Sequence, residues 1–233
     1  GHAIGMKLAA EGANIVIAAK STEVHPKLGG TIFSAAEDMN KVGGKGLAIK
    51  CDIRNDDEVA AAVQQTVDTF GGIDILINNA SAINLSPIDH LDMKRYDLMQ
   101  DINTRGTFLC SKMCLPHLLK SENPHSIAKF GMSLVVLGLA GEYKGKVGIN
   151  ALWPRTTIAT AAVMNLLGGE SVANSSRKPA IIADAAYYIL QRDAKTTSGN
   201  FFMDDEVLLS EGITNLDQYA VKPGTELTPD FFV

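Results

Sequence analysis

Two asparagines, Asn78 and Asn79, followed by Ala80 and Ser81, close the apolar run Ile75-Leu76-Ile77. Carboxamides both donate and accept, so at the carboxyl edge of a parallel sheet they can bind a cofactor or tie strands together. A simple structural turn is an equal reading of the four residues. Lys129 ends Ser126-Ile127-Ala128-Lys129, which has the look of a helix start, and His125 stands four positions before it. A histidine there could exchange protons near neutral pH. Pro124-His125 also ends a polar turn, and a surface loop residue is the favoured reading. Cys110 and Cys114 lie one helical turn apart and could share a metal. No neighbouring Cys or His set completes such a site, which favours core packing and an expectation of no metal.

These residues need a scaffold, and the chain alternates strand-like and helix-like segments. Ile4, Leu8 and Ala9 recur at helical spacing before Gly12. The fully apolar run 14–19 is expected to be a strand buried on both faces. A helix over 32–42, a strand over 46–51, a helix over 56–72 and a strand over 73–79 follow. The helix over 56–72 has acids in its first turn and glycines at its end. A long helical region over 91–120 is interrupted near Asn103. Next come a helix over 126–142, a strand over 146–152, a helix over 180–193 and a strand over 199–204. Residues beyond about 205 read as an irregular tail. The alternation predicts one α/β domain with a doubly wound parallel sheet of Rossmann type. Two places break it. No strand precedes the first helix, and none is legible between about Leu119 and Ser126.

The bulk composition agrees. With 233 residues and 46% hydrophobic content, the chain can bury one sizeable core. A net charge of −5 argues against a nucleic-acid surface. No apolar run has the length of a membrane span, so a soluble chain is expected. Three cysteines without paired spacing suggest a reducing compartment.

Taken together, the motifs resemble the classical short-chain dehydrogenases/reductases over nearly the whole chain. "NNA" at 78–80 matches the family's Asn-Asn-Ala-Gly, with Ser81 replacing the glycine. Asn103 in "DINTRGTF" matches its catalytic asparagine, and "SIAK" at 126–129 matches the end of Tyr-x-x-x-Lys. "NALWPRT" at 150–156 resembles Asn-x-x-x-Pro-Gly, with Arg155 in the glycine's place. Gly1 falls at the last glycine of Thr-Gly-x-x-x-Gly-x-Gly. The resemblance implies a first strand and most of a glycine loop before Gly1. It also implies a strand carrying a serine, then a tyrosine directly before Ser126, with the chain interrupted between His125 and Ser126. The match extends to a subgroup whose members continue into a sterol-carrier-like domain. Residues 1–205 are thus expected to form the dehydrogenase domain and 206–233 an extension or linker.

For chemistry, the resemblance implies a nicotinamide cofactor over the carboxyl edge of the sheet. Gly1 would lie by the pyrophosphate, Asn79 and Ala80 by the ribose, and Asp52 would accept from the adenine amino group. Asn78 would brace the sheet. Lys20, directly after a strand where an acid would select NAD, suits the 2′-phosphate of NADP, which is therefore favoured; a solvated lysine is the plain alternative. Lys129 would hold the nicotinamide ribose and lower the tyrosine's pKa, and Asn103 would anchor a relay water. Arg155 leaves the nicotinamide loop open: it either reshapes that loop or contacts an acid, and Thr156, Thr157 and Thr160 are candidate cofactor contacts. The implied function is NADP-dependent hydride transfer to or from a carbonyl or alcohol of a lipid-like small molecule. A nucleotide-binding scaffold with lost catalysis is the alternative. A homodimer or homotetramer, without nucleic-acid partners, and a peroxisomal location are implied in the same way, with mitochondria second.

Overall fold

The structure is a computed structural model, and it describes residues 1–128 and 132–230. In chain order the main elements are α1 (His2–Ala10), β1 (Asn14–Ala19), α2 (Ile32–Lys41), β2 (Lys45–Lys50), α3 (Asp56–Phe70) and β3 (Ile75–Asn78). Then come α4 (Met93–Gln100), α5 (Thr107–Leu118), β4 (His125–Ala128), α6 (Ser133–Glu142) and β5 (Gly148–Trp153). The chain closes with α7 (Gly169–Asn174), α8 (Ala180–Gln191), β6 (Phe201–Met203) and α9 (Asp204–Ser210).

All strand pairings are parallel. β1 pairs with β2, and β3, β4, β5 and β6 follow one another in a second sheet. Helices cover both faces, as short strands joined by right-handed crossovers require. On one face α8 packs on α1, and its Ile181 and Ile189 are fully buried with Ile127, Leu152 and Leu208. Each such side chain contributes about 1.5–3 kcal/mol of burial. On the other face Val136 and Ala140 of α6 meet Ile149 and Ala151 of β5, and Val59, Ala62 and Leu109 join α3 and α5 over Ile49.

Local chemistry sets the helix ends. Thr31 and Ser34 form a reciprocal capping box at α2. Asn55 accepts the amides of Asp57 and Glu58 at α3, whose first turn is acidic, and Gly71 at φ 87° ends the helix. Gly46 lets α2 lie directly on β2: a Cβ there would stand 2.2 Å from the Ala36 carbonyl oxygen.

The structure corrects several expectations. Residues 126–128 are not the start of a helix. With His125 they form β4, paired to β3 on one side and β5 on the other, and α6 begins only at Ser133. The chain therefore does hold a strand at the position where none was legible. The reason is backbone pairing: between two parallel strands, four residues in extended form satisfy donors and acceptors on both sides that a helix would leave unmet. His125 is accordingly fully buried, not a surface loop residue. The tail beyond 205 is partly ordered, since α9 spans Asp204–Ser210 and later residues pair with earlier loops.

Among the described residues β1 and β3 each pair on one side only, and a cavity of about 710 Å³ separates them. Its walls include Val16, Ile17, Ile75 and Ile77, closed by α1 and by α3 and α5. The apolar run 14–19, expected to be buried, is only half-buried along this gap, and Ile75 is 36% exposed.

Candidate active site

In a parallel sheet all strands end at one edge, and the loops leaving that edge converge. Asn78 is the last residue of β3 and is buried, its Nδ2 donating to Ser111 Oγ at 3.3 Å. That bond braces α5 against the strand. Asn79 follows and meets the start of α1, so closely that a Cβ on Gly1 would lie 2.7 Å from Asn79 Nδ2. Ala80 is exposed beside them and shares the mouth of the cavity with Gly1 and Asn79. A helix amino end, a glycine and a strand-end carboxamide form a cradle suited to an anionic ligand.

Asn103 lies in a π-helical segment, Asp101–Gly106, between α4 and α5. The extra residue in that turn is the physical form of the interruption read in the sequence, and such bulges often mark functional sites. Its Oδ1 accepts from the Ala82 amide at 2.9 Å and its Nδ2 donates to the Ala82 carbonyl at 2.8 Å. Each of its two polar atoms keeps further bonding capacity for a water.

The ends of β1 and β2 bring Lys20 and Asp52 into one electrostatic neighbourhood. Lys20 is exposed and forms no ion pair among the described residues. The Asp52 carboxylate accepts from the Arg54 Nε at 2.9 Å and the Arg54 amide at 3.1 Å, and pairs with its terminal nitrogen. These bonds hold the Asp52 pKa down at about 2, with the Lys20 charge adding to the effect. Arg54 was missed in the sequence, although Asp-x-Arg spacing in a tight turn is its signal. Arg105, also missed, donates to the Arg54 carbonyl at 2.8 Å and pairs with Asp56 at 2.5 Å.

Past the end of β5, Arg155 contacts acids: its Nε lies 3.2 Å from Asp205, and its guanidinium pairs with Glu206. Thr156 and Thr157 are buried against the carboxyl-terminal segment, and Thr157 Oγ1 shares a 2.7 Å hydrogen bond with Ser176 Oγ. Thr160 alone of the three threonines is exposed. Trp153 packs on Phe201 at the sheet edge, ring centroids 5.3 Å apart.

Lys129 lies outside the described residues. His125 is the first residue of β4, opposite Ile75, whereas Ala128 at the strand's end lies opposite Asn78. The ring is therefore at the amino edge of the sheet, away from Asn79 and Asn103. Its Nε2 lies 3.1 Å from the Arg192 carbonyl, and burial pushes its pKa down. It takes no part in chemistry at the carboxyl edge. Cys110 and Cys114 face the core, burial pushing both thiols up to about 12, and no group of three His, Cys, Asp or Glu among the described residues is placed to hold a metal. No described helix is long and apolar enough to cross a membrane.

Comparisons with known proteins point to one family. A family model described as short chain dehydrogenase matches residues 1–128. Hydroxysteroid dehydrogenase-like protein 2 of Xenopus laevis and of Homo sapiens are each 50% identical to the chain, covering all of it. The chain spans 60% of the length of these curated relatives, and the alignments run over 254 positions against its 233 residues, a difference of 21. Among solved structures, a putative dehydrogenase from Xanthomonas campestris is 51% identical with a TM-score of 0.95, covering 100% of this chain and 93% of that one. A short chain dehydrogenase from Mycobacterium thermoresistibile is 46% identical with a TM-score of 0.95, covering 100% and 90%. Parallel topology, the strand-end asparagines and these full-length similarities agree: the chain belongs to the short-chain dehydrogenase family.

Proposed function

We propose that the chain is the dehydrogenase domain of an NADP-dependent oxidoreductase that moves a hydride between nicotinamide and a carbonyl or alcohol of a lipid-like molecule. The observation that carries the reading is the cradle at the carboxyl edge, where Gly1 closes on Asn79 within 2.7 Å of a would-be Cβ. Gly1 and the α1 amino end would take the pyrophosphate, Asn79 and Ala80 the ribose beside it, and Asp52 the adenine amino group with the lone pairs Arg54 leaves open. Lys20, exposed and without an ion pair among the described residues, would take the 2′-phosphate. The cofactor supplies the hydride.

The remaining steps belong to side chains. Asn103 holds the loop after β3 through Ala82 and would anchor a water with its spare donor and acceptor. Lys129 would hold the nicotinamide ribose and favour ionisation of a tyrosine next to Ser126. In this chain His125 holds the position before Ser126, within β4, and the alignments with the relatives run 21 positions beyond its 233 residues. The lipid-like substrate is supported by the hydroxysteroid in the relatives' name. A homodimer or homotetramer is supported by apolar side chains left in solvent on α5 and α6, with Leu134 at 82% and Phe108 at 51% exposure.

A second reading, a nucleotide-binding scaffold without turnover, is favoured by one observation. The residue four before Lys129 is His125, and its ring is buried at the wrong edge of the sheet. Fluorescence titration with NADPH and NADH, followed by NADPH oxidation against a panel of ketones, tests both. NADPH binding with turnover supports the oxidoreductase, and binding without turnover supports the scaffold. No binding of either dinucleotide removes both.

A further inference from the structure

Arg155 is the residue that the family resemblance leaves without a role, and its surroundings are built around it. It follows β5 by two positions, while Asp204, Asp205 and Glu206 follow β6 directly, so the ends of two neighbouring strands meet here. Asp204 Oδ1 accepts the Arg155 amide at 2.9 Å. The Arg155 Nε lies 3.3 and 3.2 Å from the two oxygens of Asp205, and its guanidinium also reaches Glu206. Arg177, only 8% exposed, donates to Oδ2 of the same Asp205 carboxylate at 3.4 Å. One carboxylate thus accepts from two guanidinium groups.

The backbone around Arg155 is held as firmly. The Arg155 carbonyl accepts from the Asp230 amide at 3.2 Å, and the Thr157 amide donates to the Thr228 carbonyl at 2.9 Å. On the opposite side the Thr157 carbonyl accepts from the Arg177 amide at 3.0 Å, and the Ala159 amide donates to the Arg177 carbonyl at 2.8 Å. Residues 155–159 therefore form the middle of a small three-stranded arrangement between 177 and 228–230. The charges align it, because Arg177 supplies both a backbone pair and a guanidinium to the cluster.

We propose that Arg155, clamped by Asp205 and braced through it by Arg177, is a positioning residue that fixes the loop after β5 in the shape the bound dinucleotide needs, and that residues 228–230 are part of the clamp. The inference rests on the dinucleotide reading above. Where a glycine would leave this loop free to adapt to its ligand, the arginine pre-sets it, so ordering is complete before binding. Charge-assisted contacts from two guanidinium groups converge on the Asp205 carboxylate, which is 13% exposed, and favour one geometry.

Asp205→Asn keeps the shape and removes the charge, and Asp205→Glu restores the charge on a longer arm. Two readouts are taken: NADPH affinity by fluorescence titration and hydrogen exchange of the Thr157 and Ala159 amides, with the β1 and β2 amides as a check on the fold. The expected result is a rise in the NADPH dissociation constant of about tenfold or more for Asp205→Asn. Protection at Thr157 and Ala159 should fall while β1 and β2 stay protected, and Asp205→Glu should recover part of both. An NADPH affinity within about twofold of the parent overturns the proposal, since a misplaced loop would cost more. So does a weakened affinity with unchanged protection at Thr157 and Ala159, which would mean a direct charge effect. If the parent chain binds no dinucleotide, the reading beneath the proposal fails and the proposal with it.

Discussion

The Asn103 carboxamide closes a two-bond ring on the Ala82 backbone, accepting its amide at 2.9 Å and donating to its carbonyl at 2.8 Å. The bulged turn before α5 and the loop after β3 are thereby one unit. The pair is half-buried, and it joins residues 21 positions apart. Asn103→Ala removes both bonds and leaves the Ala82 backbone groups to find other partners. The expected cost is about 1–2 kcal/mol of stability, read from urea unfolding, at roughly 0.5–1.5 kcal/mol per bond. NADPH binding should weaken in the same variant. An unchanged unfolding midpoint would show that water replaces the carboxamide without loss.

The contact between α2 and β2 depends on Gly46. A Cβ there would stand 2.2 Å from the Ala36 carbonyl oxygen and 2.7 Å from its Cα, and backbone cannot yield as a side chain end can. Gly46→Ala should cost about 1–3 kcal/mol by overpacking. Gly72→Ala, where a Cβ would meet nothing within 4 Å, is the control and should stay near the parent in thermal unfolding. Equal midpoints for the two variants would refute the packing argument.

Cofactor choice is expected to turn on Lys20. Arg54 is paired with Asp52, whereas Lys20, directly after β1, is exposed and has no ion pair among the described residues. Lys20→Asp should weaken NADPH by about tenfold or more and leave NADH little changed or improved. Paired titrations with the two dinucleotides decide it, and a variant that still prefers NADPH would move the selection elsewhere.

Two acids have opposite pH signatures. Burial raises the Asp204 pKa from 3.8 to about 6, despite amides donated by Arg155 and Asp205 and the nearby Arg177 charge; the Asp205 carboxylate adds to the rise. A folded pKa above the unfolded one favours the protonated acid. The contribution of Asp204 is therefore greatest below about pH 4 and is lost as pH rises through about 6. Asp52, held at about 2 by Arg54, behaves in reverse: its contribution stands above about pH 4 and is lost as pH falls through about 2. Asp204→Asn keeps an oxygen for the two amides. Its stability relative to the parent should improve between about pH 4 and pH 6 and stay level above. Urea midpoints across that range check the slope, and a parallel pair of curves would place the Asp204 pKa at its ordinary value.

Much of the scaffold was legible because local pattern and tertiary demand agree. The run 14–19 is β1 to the residue, and acids, Asn55 and Gly71 bracket α3 as their capping chemistry requires. Asn78 and Asn79 stand out as carboxamides closing an apolar strand, Asn103 through the family resemblance, and the structure shows the Gly1–Asn79 approach and the Asn103–Ala82 lock on loops of the sheet. Sequence reasoning missed Arg54, whose one signal is the Asp-x-Arg spacing, and also Arg105 and Asp205, whose partners lie about 50 residues away in the chain.

By itself the sequence determined the strand and helix alternation, and hence a parallel α/β fold, because hydrophobic period and capping are local properties. It also determined which carboxamides and cations terminate strands. Only the tertiary structure decided that His125–Ala128 is a strand and that His125 is buried at the amino edge, because backbone pairing with β3 and β5 outweighs a helical pattern four residues long. Only it could give Arg155 its partners, since Asp205 is 50 residues away in sequence and one strand away in space. Contacts between loops at a sheet edge are fixed by strand order, and strand order is written in no single segment.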